Sequence, residues 1–516
     1  MARVFLRLVL GGMAGKVLGL LRETLLAALF GAGRVVAANR VALTATFIPV
    51  NFFTADALSA GFLPLYVRYR KEGSAMASAL YRGVRLVLAA LSLLLMVVLL
   101  LGADIWVGLL APGFDSETAH IAATMLRVAA LGVPCYLQYS LYALVALAHD
   151  DVRPINLRPS VQSIGLIGAT GAAYVSGQVA LLAWGFTLSY VVLCGWAMFW
   201  VRRRGYLDDG PASAAEPAPQ LAYRVAIAEF WRRLRPLLLV PLVLQGSIAV
   251  ERVVGSLLGV EVVAATEYSR FVVDSCMALL AAPLGLAGLA SFAKMEAGEV
   301  ADGLRRLIPP VLLVTIPLAM ILCIDSRGIT NLLYARGRFD EHAVTTTSVM
   351  LAGFALGIWA SVLGYTLVKV LNARGANSRV AVVNMLSFSA AIGLNLLLYR
   401  HWGAFTLGVA ASFGGLILFV ASAWSLAVLQ FTVRLLAALV PGVVLAGAAG
   451  YLLTGPGLFR LAASGAAIVL FWLSYVAAVP ALRRTYLSGP LRRLSNRGGR
   501  GDQELSSEAM ARGRSG

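Results

Sequence analysis

The chain has 516 residues, of which 59% are hydrophobic and only 13% are charged, with a mean hydropathy of +0.82. A soluble domain of this length could not bury so much apolar surface, so the composition excludes a soluble globular protein and indicates a polytopic membrane protein. The formal net charge of +18 is then the excess of lysine and arginine that marks cytoplasmic loops, and it does not indicate nucleic-acid binding.

Apolar stretches long enough to cross about 30 Å of hydrocarbon recur along the whole chain. Loops rich in lysine and arginine alternate with loops that are poorer in them, which predicts an even number of spans and two cytoplasmic termini. We therefore predict about fourteen membrane-spanning helices, at 8–31, 41–66, 84–110, 121–148, 159–178, 181–201, 236–259, 267–292, 307–325, 346–371, 380–399, 403–429, 435–454 and 459–480.

The first predicted span carries charged residues inside its apolar sequence, namely Lys16, Arg22 and Glu23. A charge near the bilayer centre costs at least about 2.5–3.5 kcal/mol, so such residues face a protein interior or a water-filled cavity. Lysine and arginine both suit phosphate, lysine as a point charge and arginine through its planar fork. We interpret Lys16 and Arg22 as candidate phosphate contacts and Glu23 as the residue that organises them. A structural ion pair between helices is the alternative.

The second predicted span has Arg40 at its outer end and Asp56 in its middle. Arg40 is close enough to the end of the span to extend its guanidinium to the interface, and we expect it to do so. Asp56 lies too deep for that. It is interpreted either as a partner of Lys16 or Arg22, or as a protonatable group that couples transport to ions.

The seventh and eighth predicted spans carry a second set of charges: Glu251, Arg252, Glu267, Arg270 and Asp274. Arg270 and Asp274 are four residues apart on one helix, a spacing at which an ion pair within the helix is the alternative interpretation. We expect Arg270 to face a central cavity.

Landmarks in the two halves of the chain recur at an offset of about 225 residues, which contains six predicted spans. An even number of spans gives both copies the same orientation, as in transporters with two parallel lobes. The predicted fold class is therefore an all-α polytopic membrane protein. Its predicted parts are an N-terminal lobe of six spans (1–201), a cytoplasmic linker (202–235), a C-terminal lobe of six spans (236–430), two extra helices (431–482) and a disordered cytoplasmic tail (483–516).

The sequence contains no Walker loop, no nucleophile elbow and no spaced cluster of metal ligands. Its four cysteines lie far apart in apolar stretches and are interpreted as small buried residues. We therefore expect no cofactor, no metal and no ATPase subunit. Transport would use an ion gradient, the membrane potential or the substrate gradient.

Five short motifs together resemble one family. They are Lys16-Val-Leu-Gly-Leu-Leu-Arg22-Glu23, Ala111-Pro-Gly-Phe-Asp115, Tyr268-Ser-Arg270, Leu333-Tyr-Ala-Arg-Gly-Arg-Phe339 and Asn372-Ala-Arg-Gly375. In these motifs and their spacing, from about residue 8 to 430, the chain resembles the MurJ/MviN-type lipid II flippases of the multidrug/oligosaccharidyl-lipid/polysaccharide exporter superfamily.

The resemblance implies two six-helix lobes and two extra helices around a central cationic cavity. It implies a transporter of the bacterial inner membrane, and not an enzyme, that moves a polyprenyl-diphosphate-linked saccharide outward by alternating access for cell-wall synthesis. The predicted contacts to the diphosphate headgroup are Lys16, Arg22, Arg252 and Arg270, and the predicted charge-balancing or coupling residues are Glu23, Asp56, Glu251 and Asp274.

The chain departs from the family where the second helix carries an arginine pair, because Val50 and Asn51 stand at those positions and the acidic residue is shifted to Asp56. A flippase for an exopolysaccharide repeat unit is therefore the first alternative. More distant alternatives are a drug or cation exporter, which predicts a cavity dominated by acidic residues, and a membrane enzyme that transfers glycans, which predicts a large outside loop.

Overall fold

The computed structural model describes residues 2–54, 56–72, 74–207, 219–234, 238–292 and 297–486, and within these ranges the protein contains helices and no strand. The all-α class predicted from composition is thereby confirmed. The helices are α1 (Ala2–Phe30), α2 (Arg34–Thr54), α3 (Asp56–Glu72), α4 (Ser74–Leu101), α5 (Ala103–Leu110), α6 (Ser116–Ala130), α7 (Val133–Leu147), α8 (Arg153–Ser176), α9 (Leu181–Arg203), α10 (Pro219–Leu234), α11 (Leu239–Leu258), α12 (Val260–Phe292), α13 (Ala297–Ile324), α14 (Ser326–Tyr334), α15 (Glu341–Ala355), α16 (Ile358–Ala373), α17 (Asn377–Trp402), α18 (Phe405–Ser425), α19 (Leu429–Leu453), α20 (Leu458–Ala478) and α21 (Pro480–Tyr486).

Every predicted span coincides with one of these helices or with two consecutive ones. Within the described ranges, nine segments are long and apolar enough to cross a membrane, and the number rises to eleven if two helix pairs, each bent by 46°, count as one span each. The bent pairs are α6 with α7 and α15 with α16. Helices α1, α8 and α12 also lie at predicted spans, and the total of fourteen stays a prediction.

Part of the predicted linker is folded. Helix α10 lies within 202–235, and its Glu229 accepts hydrogen bonds from Arg68 Nη2 at 2.9 Å and from the hydroxyl of Tyr69 at 2.5 Å. Phe230 of the same helix is buried. Of the predicted tail, only the first few residues, in α21, belong to the described ranges. The predicted lobe, linker and tail boundaries stay predictions.

The chain forms two compact units. The first comprises Met1–Cys276, Thr330–Phe354 and Asn384–Gly414, and the second comprises Met277–Ile329, Ala355–Val383 and Gly415–Gly516. All of the predicted substrate-contact and charge-balancing residues belong to the first unit.

Small residues let helices of the first unit approach closely. A Cβ atom added to Gly15 of α1 would lie 2.7 Å from Cβ of Pro159 on α8, and one added to Gly185 of α9 would lie 2.7 Å from Cβ of Ala169. Such contacts are typical of helix packing in membranes, where close approach and van der Waals contact replace hydrophobic burial. Helix α8 is therefore held between α1 and α9, which fixes the positions of its polar residues.

In the second unit, α19 and α20 pack against each other and against α13. A Cβ atom added to Gly450 of α19 would lie 2.4 Å from Ile468 of α20. The carboxylate of Asp325, which is 2% exposed, accepts hydrogen bonds of 2.7 Å from the hydroxyls of Thr454 and Ser464. The two extra helices are thus attached to the end of α13 through a buried polar contact.

Candidate functional site

A buried carboxylate on α1 lies between two arginines. Glu23 Oε1 accepts hydrogen bonds from Arg22 Nε at 3.0 Å and from Arg22 Nη2 at 2.5 Å, while Oε2 accepts one from Arg40 Nη2. The side chain of Glu23 is 2% exposed, that of Arg40 10% and that of Arg22 23%. Glu23 therefore holds two cations in place at once, and Arg22 is the more accessible of the two.

The expectation that Arg40 reaches the membrane interface is wrong. Helix α2 begins at Arg34, seven residues before the predicted span, so Arg40 lies about 9 Å inside the helix instead of at its end. Its guanidinium pairs with Glu23 and lies 5.8 Å from the ring centroid of Tyr268. A carboxylate within reach in the protein interior stabilises a guanidinium that would otherwise have to extend to water.

Arg252 on α11 is the most deeply buried cation of the predicted set. Its Nη2 donates to Glu267 of α12, its Nε to the hydroxyl of Thr44 at 3.0 Å and its Nη1 to the carbonyl of Val263 at 3.4 Å. Each of its three guanidinium nitrogens thus has an acceptor, and its side chain is only 6% exposed. This geometry connects α2, α11 and α12.

Arg270 on α12 pairs with Glu251 of α11. The alternative partner on its own helix, Asp274, forms no ion pair within 4.0 Å with any residue that the structure describes. The guanidinium of Arg270 lies 5.3 Å from the ring centroid of Phe354, and its Nε is buried without a hydrogen-bond partner among the described residues. Its side chain is nevertheless 29% exposed, so part of the guanidinium is accessible.

Lys16 and Asp274 complete the set. Lys16 is half-buried, its ammonium lies 6.0 Å from the ring centroid of Phe271, and no carboxylate of the described residues lies within 4.0 Å of it. Asp274 is exposed and lies four residues after Arg270 on α12. The side chain of Asp56 lies outside the described residues, and its role stays a prediction.

We call Arg22, Glu23, Arg40, Glu251, Arg252, Glu267 and Arg270 the paired network. Four cations face three carboxylates, so its formal charge is +1, and every arginine in it has a carboxylate partner. An arginine has five N–H donors, so one carboxylate does not exhaust it. Arg22 Nη1 donates to no described residue. The accessible donors of this network therefore belong to Arg22 and Arg270.

A junction at the end of α1 positions the network, and sequence reasoning did not assign it. The hydroxyl of Tyr268 donates to the carbonyl of Gly31 at 2.9 Å, and the backbone N–H of Arg338 donates to the carbonyl of Ala28 at 2.9 Å. Gly337 has a φ of +61°, and a Cβ there would lie 2.1 Å from the Ala28 oxygen. Two features of this position favour glycine: its left-handed backbone conformation and its close approach to the Ala28 carbonyl.

The same junction contains three aromatic rings. The ring centroid of Tyr268 lies 5.0 Å from that of Tyr334 and 5.4 Å from that of Phe339, and the hydroxyl of Tyr334 donates to the Tyr268 carbonyl at 3.1 Å. The signal for this junction was present in the sequence, because Tyr268 and Leu333–Phe339 belong to the motifs that carry the family resemblance.

A second residue that the sequence analysis did not assign is Arg158. It lies on α8, between the predicted spans 121–148 and 159–178, and it donates to the hydroxyls of two tyrosines, Tyr136 and Tyr190. In the part of the chain that the structure describes, no carboxylate lies within 4.0 Å of it.

The family is decided by a match over most of the chain: residues 26–460 fit the family model described as lipid II flippase MurJ. The chain belongs to the MurJ family. Its members are lipid flippases and not enzymes, and the match to them together with the apolar helices makes this a multi-pass membrane protein.

Individual relatives agree with this assignment. The chain is 26% identical over 373 residues to the lipid II flippase MurJ of Burkholderia cenocepacia, covering 70% of each chain. It is also 26% identical over 423 residues to a probable lipid II flippase MurJ of Synechocystis sp., covering 79% of this chain and 77% of the relative.

Solved structures support the fold. A lipid II flippase MurJ in an inward closed conformation matches with a TM-score of 0.79 at 17% identity, covering 91% of this chain and 98% of the other. An inward-facing multidrug resistance transporter of the MATE family of the MOP superfamily matches with a TM-score of 0.63 at 15% identity over 83% of this chain and 99% of the other. This chain thus shares its helical architecture with both of these structures.

Proposed function

We propose that this protein is a lipid II flippase, which moves a polyprenyl-diphosphate-linked saccharide across the bacterial inner membrane by alternating access. The observation that carries the proposal is the family match over residues 26–460. It is supported by relatives that bear this function in their names. We further propose that both termini are cytoplasmic, on the grounds of the alternating charge of the loops.

We infer that Arg22 and Arg270 contact the diphosphate. Both are partly exposed, and both are held by carboxylates that leave N–H donors available. Arginine forms paired, charge-assisted hydrogen bonds with phosphate oxygens. Because the carboxylates already orient the guanidinium groups, less conformational entropy is lost when the phosphate binds.

The remaining residues of the predicted set receive different roles. Arg252 has an acceptor for each guanidinium nitrogen, so we infer that it positions α11 and α12 and does not bind the headgroup directly. Glu23 and Glu251 balance the charge of Arg22 and Arg270 while the substrate is absent. Lys16 adds a positive charge without a carboxylate partner among the described residues, and we propose that it attracts the anionic headgroup.

The test is flipping by the purified protein in liposomes that contain a fluorescent lipid II analogue. We expect the double variant Arg22→Gln/Arg270→Gln to slow flipping at least about tenfold, the effect of losing one charged hydrogen bond. The control is Arg127→Gln on α6, whose exposed side chain pairs with Asp104 at 2.5 Å. Its flipping rate is expected to equal that of the wild type.

Two results would contradict the proposal. A wild-type protein that does not move the lipid II analogue at all would rule out the flippase activity. If the wild-type protein flips the analogue and the double variant Arg22→Gln/Arg270→Gln is as active as the wild type, Arg22 and Arg270 are not the headgroup contacts. Mass analysis of the recovered lipid separates transport from chemistry, because an unchanged mass is expected of a flippase and a new covalent product of an enzyme.

A further inference from the structure

Arg158 is a cation that the paired network does not include. It lies in α8 five residues after the first residue of the helix, Arg153, which places it about 7.5 Å along the helix axis. No carboxylate lies within 4.0 Å of its guanidinium in the described ranges. The arginines of the paired network, in contrast, each have a carboxylate partner.

Two tyrosines hold the guanidinium in one orientation. Arg158 Nε donates to the hydroxyl of Tyr190 at 3.1 Å, and Nη2 donates to the hydroxyl of Tyr136 at 3.2 Å. The guanidinium carbon lies 5.2 Å from the ring centroid of Tyr136 and 5.8 Å from that of Tyr190. Both rings are buried, at 3% and 0% exposure, so they form a rigid support.

The tyrosines are fixed by further polar contacts. The hydroxyl of Tyr136 donates to Oδ1 of Asn51 at 2.9 Å, and Nε2 of Gln162 donates to the hydroxyl of Tyr190 at 2.6 Å. Polar residues from four helices, α2, α7, α8 and α9, thus orient one guanidinium. A solvated surface charge needs no such support.

The third nitrogen of the guanidinium is available to a ligand. Arg158 Nη1 donates to none of the described residues, yet it does not belong to the buried polar atoms that lack a partner, so it is accessible. The side chain as a whole is half-buried. The positive charge is therefore oriented by the two tyrosines and is not fully buried.

Two explanations that involve no ligand fit less well. Exposure at the protein surface is what Arg153 shows: its side chain is 51% exposed, its Nε lies 3.7 Å from Oδ1 of Asp151, and its guanidinium lies 5.0 Å from the ring centroid of Trp200. Arg158 instead points to buried tyrosines. A purely structural role would be better served by a carboxylate partner, because neutral hydroxyls leave a full positive charge uncompensated in a region of low dielectric.

Arg158 also lies beside the helix that carries Lys16 and Arg22. The close contact between α1 and α8 is formed by Gly15 and Pro159, so Lys16 and Arg158 are each adjacent in sequence to one side of this contact. Lys16 and Arg158, neither of which has a carboxylate partner within 4.0 Å among the described residues, therefore flank one helix–helix contact in the first unit.

We propose that Arg158 binds a phosphate group of the transported lipid, through Nη1, and is a further substrate-binding residue of this protein. The inference rests on the proposed function and extends it to α8. An accessible, oriented guanidinium without its own counter-ion suits an anionic oxygen that arrives with the substrate, and phosphate oxygens match its geometry.

The test is ligand binding by the full-length protein in detergent. Three ligands separate the sources of affinity: undecaprenyl diphosphate, undecaprenol, which lacks the phosphates, and inorganic pyrophosphate, which lacks the lipid. The variants are Arg158→Gln, Arg158→Lys and the control Arg153→Gln on the same helix. We expect Arg158→Gln to weaken undecaprenyl diphosphate binding about tenfold or more and to leave undecaprenol binding unchanged. Arg153→Gln should affect neither.

The outcomes distinguish this inference from the proposed function. Wild-type protein that binds undecaprenyl diphosphate no better than undecaprenol contradicts the proposed function itself. Wild-type protein that prefers the diphosphate, together with Arg158→Gln that keeps the full preference, overturns the inference alone. Pyrophosphate binding that depends on Arg158, without any preference for the diphosphate lipid over undecaprenol, would assign the site to free phosphate and overturn it as well.

The variant Arg158→Lys distinguishes a loss of binding from a folding defect. It keeps the charge and loses the planar fork, so we expect an affinity for undecaprenyl diphosphate between those of the wild type and Arg158→Gln, with a melting temperature close to that of the wild type. A variant that loses affinity for undecaprenol and undecaprenyl diphosphate by the same factor would indicate a structural role and contradict the proposal.

Discussion

The paired network and the Arg158 site hold a guanidinium charge inside the protein in two different ways. In the paired network each arginine forms an ion pair with a carboxylate of the protein, as Arg40 does with Glu23. At the Arg158 site the guanidinium is oriented by two neutral hydroxyls and keeps its full charge. In a buried ion pair each charge compensates the other, whereas an oriented and uncompensated charge is stabilised by an anion from outside.

This difference separates the cations by role. Arg40 and Arg252 are buried and pair with carboxylates on other helices, which is expected of residues that hold helices together. Arg22 and Arg270 have a carboxylate partner but are partly exposed. Arg158 has no such partner among the described residues. The tendency to bind an anionic headgroup should increase in that order, and each variant below changes one side of this comparison.

The largest effect is expected when Glu23 loses its charge. Glu23→Gln would leave Arg22 and Arg40 without their counter-ion, and removing one partner of a buried ion pair costs about 3–5 kcal/mol. The measurement is the free energy of unfolding in detergent. The control is Glu117→Gln, which removes the exposed pair with Arg34 and should cost no more than about 1 kcal/mol. Equal losses in the two variants would contradict the importance of the buried pairing.

The next effect concerns the junction that positions the paired network. Gly337→Ala would place a Cβ 2.1 Å from the carbonyl oxygen of Ala28 at a φ of +61°. Gly177→Ala is the matched control, because its φ is +71° and nothing lies within 4 Å of the added Cβ. The backbone penalty of about 1–2 kcal/mol is common to both, so any further destabilisation of Gly337→Ala in a thermal unfolding experiment measures the contact. No difference between them would show that the junction tolerates the change.

A smaller effect is expected at the Arg158 site. Tyr190→Phe removes the hydroxyl that accepts hydrogen bonds from Arg158 and Gln162, which should cost about 1–3 kcal/mol of stability and weaken phosphate-dependent binding. Tyr139→Phe is the control, since the Tyr139 hydroxyl donates only to the carbonyl of Pro154. It should lower stability by a similar amount and leave binding unchanged. Loss of binding in both variants would mean that packing, and not the orientation of Arg158, determines affinity.

The smallest effect is a pH dependence in the segment that precedes α8. Burial lowers the pKa of His149 below its usual value of 6.5, and the ring stacks on Tyr206 with centroids 4.3 Å apart. Because the unfolded state takes up the proton first, stability should decrease as the pH falls below about 6.5 and level off below the folded-state pKa. His149→Phe keeps the stacked ring and removes the titration, so its melting temperature should decrease less over the same range. Parallel curves would contradict this assignment.

The architecture was predictable from the sequence because an apolar stretch of about 20 residues is a property of composition. Every predicted span coincides with a helix or a helix pair. The depth of Arg40 was not predictable, because Arg34, Asn39 and Arg40 interrupt the apolar residues at the start of α2, and a search for a continuous apolar stretch begins the span after Arg40.

The hydrogen-bond and ion-pair partners of the arginines were harder to predict from the sequence than the helices. Arg270 could pair with Asp274 on its own helix or with a carboxylate on another one, and only the packing of α11 against α12 selects Glu251. The role of Arg158 was not recognised from the sequence because the residue lies in a basic stretch near the start of a helix. Its spacing of four residues from Gln162, which places both on one helix face, was nevertheless visible. Glutamine and tyrosine inside neighbouring apolar spans were the available signal.

The most direct test of the account is an experimental structure of the protein with a diphosphate-linked lipid bound. We expect phosphate oxygens within hydrogen-bond distance, about 3 Å, of guanidinium nitrogens of Arg22, Arg270 and Arg158, while Arg252 keeps its bonds to Thr44 and Glu267. A headgroup bound elsewhere, with Arg22 and Arg270 in contact only with Glu23 and Glu251 and with Arg158 Nη1 still without an acceptor, would contradict it.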